Sequence, residues 1–440
     1  MRLSDYSQSG GRGLFRRDRR VYLHRGTHTF TIPDGVTKVW AFSIGAGGGG
    51  ANYGDNSGNF SGGRLGGGKG GGYASGIISG LTPGGTLTLT VGAGGVGGFE
   101  TTAATAGANS TVVGGGTTYL QGSGGGAASS TKITSDPGTG KGQGGAASTS
   151  GVTDAYTAAG GGSYNWPAGI GNGSYTTSTM NLIMGGGASG TPWGTGMPGV
   201  KAVGNMGTAT GGGGWAQIDY PRTGWLGGTS GEYGSNGRPY GGAGSHYQPK
   251  PFCGQSMKFQ YAGINGGDGR TAIGGLTMNM SHFSSTDDYV YDNKTLAVFD
   301  TLGMYPQHIE NIHKVKDGQD SNPNWWFPWE IDGAGGGGVY ANNQAGMVWY
   351  GGKGGSGSGG GSATASCYNS NGSIQGGAGG FGGGGGGCQH TTNTVNNLAM
   401  AWGGHGGNGG GGGSAWGRAD DPRYMAIGGE GGDGAIGIYW

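Results

Sequence analysis

The most constraining feature of this chain is its glycine: 121 of 440 residues, gathered into runs at 45–50, 66–72, 211–214, 335–338, 382–387 and 409–413. Glycine gives up the most backbone freedom on folding and has no side chain to bury. Such a chain is either an open polymer or a solid built from contacts between extended backbones. Ordering each residue costs roughly 1–2 kcal/mol, with glycine at the upper end, and a hydrogen bond returns a net of about 0.5–1.5 kcal/mol. The solid therefore needs further stabilisation, from aromatic plugs between segments and from association of copies.

Three features favour order. The chain carries 12 Trp, 21 Tyr and 11 Phe, whereas disordered segments are poor in aromatics. Its formal net charge is +1 and charged residues make up 11%, so self-repulsion does not hold it open. The glycine-rich stretches are interrupted by Trp193, Trp215, Trp225, Trp402 and Trp416 rather than by linker sequence. Collagen needs glycine at every third position with abundant proline; consecutive glycines and only 14 prolines exclude it. What remains is polyglycine II, a left-handed extended helix with three residues per turn and no internal hydrogen bonds. Without Cβ atoms, such helices approach closely and exchange N–H···O=C and Cα–H···O contacts laterally.

Strand signals frame the glycine. Phe30 and Ile32 alternate with threonines ahead of a turn at Pro33-Asp34-Gly35, and Trp40, Phe42 and Ile44 alternate with Val39, Ala41 and Ser43. Ile77 and Ile78 precede a turn at Pro83-Gly84-Gly85, and Leu87, Leu89 and Val91 alternate with threonine. Ala435–Trp440 reads as a closing strand. The best helical candidate is 306–316. The expected fold is mostly β and irregular: a β-framed glycine-rich domain with packed polyglycine-II-like helices and little α-helix. Four regions follow: a basic N-terminal arm (1–20), a glycine-rich β/polyglycine II domain (21–275), a glycine-poor aromatic and acidic insert (276–331), and a second glycine-rich segment with the closing strand (332–440). A weak repeat brackets the insert: Trp40 leads into Gly45–Gly50 as Trp329 leads into Gly333–Gly338, and Gly266–Gly269 matches Gly431–Gly434.

Chemistry-bearing motifs are scarce. Gly-x-Gly-x-x-Gly strings occur throughout and carry no dinucleotide information here. Lys69, Lys141 and Lys353 are each followed by glycine, so the hydroxyl that a P-loop needs is missing. Cys388-Gln389-His390 with Cys367 and His405 offers metal-ligand types, but at a spacing that matches no standard zinc pattern. Asp268 and Asp433 read as turn residues. His282, His308 and His313 share the insert with Asp287, Asp288 and Glu310, a conceivable carboxylate–histidine site. The reading is nevertheless non-enzymatic, with no metal and no cofactor. Three cysteines, Cys253, Cys367 and Cys388, are an odd number and argue against a disulfide framework. No apolar stretch of a secretory signal and no run of about 18 apolar residues is visible. Synthesis in a cytoplasm without a signal peptide, and no membrane insertion, are expected.

The order Thr29-Phe30-Thr31-Ile32-Pro33-Asp34-Gly35-Val36, then a strand, then Gly45-Ala46-Gly47-Gly48-Gly49-Gly50, resembles the start of the glycine-rich domain of tailed-bacteriophage tail-fibre and adhesin proteins. Leu81-Thr82-Pro83-Gly84-Gly85-Thr86 running into Val91-Gly92-Ala93-Gly94-Gly95 is similar to that family's second signature, and Gly431–Trp440 to its last strand. The specific matches are confined to 29–50, 81–98 and 428–440. The resemblance implies a virion protein, made in a bacterial host, that acts at the particle's periphery by binding the host surface. Its implied partners are other virion proteins, further copies of itself (a trimer is expected), and a host glycan or outer-membrane protein. Alternatives are a head or tail decoration or connector protein, a self-assembling extracellular filament subunit, and a glycan-cleaving fibre enzyme.

Two groups of residues are candidates for contact. Trp325, Trp326, Phe327 and Trp329, with Tyr289 and Tyr291, lie in the aromatic insert; exposed aromatics stack on sugars and dominate interfaces. They serve either to plug the insert onto the glycine bundle, or to contact a subunit, or to contact a receptor. Arg12, Arg16, Arg17, Arg19 and Arg20 form the basic arm, read as an assembly strap rather than a nucleic-acid site, because no recognition module accompanies it.

Overall fold

The computed structural model describes residues 19–55, 64–128, 144–162, 182–183, 185–191, 195–196, 199, 208–209, 212, 339–342, 348–351, 359–360, 363–367, 372–392, 399–418 and 425–440. Among them there is no α-helix; the chain is mostly β with irregular regions. Three layers of organisation follow one another: an antiparallel sandwich, a glycine lattice and an array of parallel strands.

The sandwich uses the strands that alternation predicts. One sheet has the order β1 (Arg19–Tyr22), β22 (Ala435–Tyr439), β3 (Lys38–Ile44), β6 (Tyr73–Ser79), β11 (Thr153–Ala158). The other has the order β10 (Ala147–Thr149), β9 (Thr117–Gly122), β8 (Ser110–Gly114), β7 (Thr86–Val91), β2 (Gly26–Thr31). Val39, Ala41, Ala74, Ile78, Ile436 and Ile438 from the first sheet meet Phe30, Leu87, Leu89, Val91, Val112 and Leu120 from the second, all buried. These residues occupy alternate positions, as the pleat requires. The other face of the first sheet is also buried at Phe42 and Tyr73, which stack at 6.3 Å, and Tyr439 joins them. Gly437 lies directly under Phe42, whose ring occupies the place of any Cβ there. The Gly115-Gly116 turn between β8 and β9, with φ of 57° and 81°, is a hairpin that the sequence reading did not name.

At one edge of the sandwich the strands become glycine segments. β3, β7, β9 and β11 run out into 45–51, 92–98, 123–128 and 159–162; β6, β8, β10 and β22 are entered from 66–72, 105–109, 144–146 and 428–434. The segment 45–51 shows how they pack. Its amides donate with a period of three. Gly45, Gly48 and Ala51 donate to Gly72, Lys69 and Gly66; Ala46 and Gly49 to Ala108 and Thr105; Gly47 and Gly50 to Gly432 and Gly429. Its carbonyls accept with the same period: Ala46 and Gly49 from Gly125 and Ala128, Gly47 and Gly50 from Gly95 and Gly98, Gly48 and Ala51 from Gly412 and Ala415. One three-fold extended helix is thus bonded on six sides, the first three neighbours antiparallel to it and the second three parallel. This is the polyglycine-II packing expected from the sequence. The glycine-rich segments before and after the insert share the lattice, since 45–51 bonds to both. A Cβ at Gly47, Gly48 or Gly49 would run into the carbonyl of Gly410, Gly126 or Val96, well inside any real Cβ contact.

Beyond the lattice, short strands pair in parallel. One sheet has the order β14 (Val339–Asn342), β16 (Ala363–Cys367), β18 (Cys388–Thr392), β20 (Ala415–Arg418), β4 (Asn52–Asp55); a second has β15 (Val348–Tyr350), β17 (Gly372–Gln375), β19 (Ala399–Trp402), β21 (Met425–Ile427). A third pairs β13 (Thr208–Ala209), β12 (Leu182–Ile183) and β5 (Arg64–Leu65). Ala363, Cys388 and Ala415 from the first sheet close on Ile374, Ala401 and Ala426 from the second, a thin core of small side chains. Two units, 372–392 and 399–418, run strand, glycine helix, turn, glycine helix, strand. In the hairpins, Gly383 and Gly386 donate to Gly380 and Gly377 across the turn at Phe381-Gly382, and Gly410 and Gly413 to Gly407 and Gly404 across Asn408-Gly409. The repeat carried by this architecture is Gly-Gly-x-Gly-Gly-x-Gly at 376–382, 403–409 and 428–434, with a fourth sequence copy at 351–357 of which only Gly351 is among the described residues. The bracketing repeat around the insert has its residues 266–269 and 329–338 outside the described residues.

Candidate binding surface

The Gly-Gly-x repeat builds an outer layer of the lattice. Gly376, Gly379 and Gly382 donate to Trp402, His405 and Asn408; Gly403, Gly406 and Gly409 donate to Ile427, Glu430 and Asp433; Gly428, Gly431 and Gly434 donate to Gly98, Gly95 and Gly92. In a three-residue turn these bonds use one direction, and those of Gly404 and Gly407 to Gly386 and Gly383 use a second. The third points out of the layer, and there the sequence places a side chain. Across the layer these make two rows, Ala378–His405–Glu430–Val96 and Phe381–Asn408–Asp433–Ala93. At about 3.1 Å per residue the rows are about 9 Å apart. His405 and Glu430 are 52% and 64% exposed and Val96 is 56% exposed. At the glycine positions 376, 379, 403, 404, 406, 407, 429, 431 and 432, by contrast, a Cβ would strike a neighbouring backbone carbonyl.

Polar side chains take up backbone amides where no further helix is available, at the rim and, for Ser110, in the interior. Asp433 Oδ1 accepts from the Gly94 amide at 2.9 Å, Asn109 Oδ1 from Gly124 at 2.9 Å, Ser110 Oγ from Gly92 at 3.0 Å and Thr105 Oγ1 from Val96 at 2.8 Å. Asp433 thus bonds the rim from an extended segment, 428–434, that contains no turn, contrary to the turn role expected from the sequence. Asn408 Nδ2 donates to the carbonyls of Leu23 and Gly434, joining the β1–β2 connection to the layer. The Glu430 amide donates to His405 Nδ1 at 3.2 Å, and the Glu430 carboxylate lies 3.9 Å from the same nitrogen. At this exposure the pair contributes under about 1 kcal/mol.

The parallel array has a second consequence. Because β4, β14, β16, β18 and β20 run in one direction in register, their C-terminal ends lie side by side along one edge. The connections 56–63, 343–347, 368–371, 393–398 and 419–424 depart from that edge, and are themselves outside the described residues. Their sequences are rich in Asn, as in Tyr368-Asn369-Ser370-Asn371 and Asn393-Thr394-Val395-Asn396-Asn397.

Inside the array, Cys388 and His390 share the inner face of β18. Cys388 Sγ donates to the Ile374 carbonyl at 3.3 Å, and burial pushes its thiol up, out of the reactive range. His390 is 1% exposed and burial lowers it to about 4. His405 stands on the outer layer instead, so the sequence cluster of Cys388, His390 and His405 is divided between interior and surface. Among the described residues no group of three His, Cys, Asp or Glu is placed to hold a metal ion.

Arg19 and Arg20 lie in β1, with Arg20 exposed. Arg12, Arg16 and Arg17 lie outside the described residues, as do Tyr289, Tyr291, Trp325, Trp326, Phe327 and Trp329, the carboxylate–histidine group around Asp287 and His313, and the 306–316 helix candidate. The sequence reading missed the outer-layer rows, although the four copies of Gly-Gly-x-Gly-Gly-x-Gly contain the signal.

A search of curated proteins found no match. Residues 23–275 match the family described as glycine-rich domain. This stretch holds the Pro33-Asp34-Gly35 turn after β2, the glycine segment 45–51 with its six-sided packing, and the strands that feed it. With more than half of its length inside that match, the chain belongs to the glycine-rich domain family.

Proposed function

We propose that this chain is a structural protein of a tailed-bacteriophage virion, a tail-fibre or adhesin component that binds the host surface without chemistry. The observation that carries this reading is the row of parallel strand ends, which launches several connections from one edge of a backbone-bonded scaffold. Recognition loops are commonly set on rigid frameworks in this way. The composition of these connections suits adaptable contact, with Asn supplying hydrogen-bonding groups. The resemblance of residues 29–50, 81–98 and 428–440 to phage fibre sequences supports the same reading. Host, receptor and stoichiometry follow from binding experiments. Purified chain should adsorb to host cells and compete with the phage, and replacing 393–398 by Gly and Ser at equal length should weaken adsorption while leaving thermal stability unchanged. A chain found neither on virions nor on cells would end the proposal.

A decoration or connector role is the second reading, favoured by the seat of the N-terminal arm. β1 pairs with β22 at the edge of the sandwich, so residues 1–18 join the fold at an edge strand, as a strap would. Deleting 1–18 should then abolish incorporation into virions while the protein stays folded, and cell adsorption by the free protein should be absent.

A further inference from the structure

We propose that His390 is an acid-sensitive clasp of the parallel array: protonation of its buried ring releases β18 from β16 and β20 while the sandwich stays folded. The ring sits on the inner face of β18, flanked in register by Ala365 of β16 and Gly417 of β20. Neither ring nitrogen has a hydrogen-bond partner. Among the described side chains of the elements packed against it none is charged; Arg418 ends β20, one residue past Gly417. Its own strand offers Cys388, whose thiol is held neutral by burial; the flanking strands offer Ala365 and Gly417; the facing sheet offers Ile374, Ala401 and Ala426. Gly417 faces Ala426: a Cβ added at Gly417 would sit 3.8 Å from the Ala426 Cβ, an ordinary contact distance. A neutral imidazole is tolerated there, but a cation would be buried without a counter-charge or acceptor, which is costly. The cheapest relief is separation of short strands held by a thin core of small residues. The sandwich has no such point, since its buried polar residues on these strands are serines, Ser43, Ser75 and Ser110.

The direction follows from linkage. The ring stays neutral in the fold down to about pH 4, whereas in the opened chain it takes up a proton near 6.5. Its stabilising contribution is complete above about pH 6.5 and is lost as the pH falls toward 4.

The test is amide hydrogen exchange of the full chain at pH 7.5 and pH 5, corrected for intrinsic rates, in the natural protein and in His390→Leu and His390→Gln. In the natural protein, protection of β16, β18 and β20 should fall at least about tenfold at pH 5, with β3, β6 and β22 unchanged. Both variants, neutral across this range, should lose that selective fall; if the leucine variant fails to fold, the glutamine variant decides. Retained protection in the natural array, or an equal fall in a folded variant, would overturn the proposal.

Discussion

Two glycine segments of similar composition, 45–51 and 403–409, do opposite jobs. The first lies inside the lattice, bonded to six neighbours, and all its residues are buried. The second forms part of the outer layer, and at every third position it carries a side chain, His405 and Asn408, into the open direction. A three-fold helix has three side-chain directions, so the number of neighbours decides how many of them glycine must fill. Consecutive glycine marks an interior helix, and Gly-Gly-x marks a helix with one free side. Ala46 and Ala51 are the exceptions within 45–51, both buried where one methyl is accommodated.

The comparison can be broken first at Gly48. Alanine there meets the Gly126 carbonyl, a backbone atom that cannot rotate aside, so Gly48→Ala should destabilise by at least about 3 kcal/mol or prevent folding, measured by denaturant unfolding. Gly409→Ala should cost about 1–3 kcal/mol: its φ is +78° and the new methyl would meet Ile44 and Ser189. Asp433→Ala removes the acceptor of the Gly94 amide at the rim and should cost about 1 kcal/mol. The smallest effect is expected at the open positions. His405→Ala and Glu430→Ala should each stay within about 0.5 kcal/mol in the same measurement. A tolerant Gly48 or an intolerant His405 would dissolve the distinction between interior and rim.

How much of this was legible depended on side chains. The sandwich strands announced themselves through alternation at Leu87-Thr88-Leu89-Thr90-Val91 and around Trp40 and Phe42. The polyglycine-II character followed from consecutive glycine with aromatics and low charge. The parallel array was not foreseen, because strands such as Gly372-Ser373-Ile374-Gln375 and Ala415-Trp416-Gly417-Arg418 are too short and too small to alternate visibly. Their pairing comes from the repeated glycine hairpins that deliver them side by side, a long-range cause. His390 belongs to the same class: its strand is inconspicuous in the sequence, and only the register beside Ala365 and Gly417 shows that its ring is enclosed. The aromatic insert drew attention by its composition, yet the surfaces that can be described lie in the glycine-rich parts.

The central claim, that the glycine segments are a hydrogen-bonded solid, is tested most directly by amide hydrogen exchange across 45–51 at neutral pH. Each of those amides has a partner carbonyl within the lattice, so the account predicts protection comparable to that of β3 and β22, with opening only on global unfolding. Exchange across 45–51 at the rate of an unstructured peptide, while β3 and β22 stay protected, would contradict it.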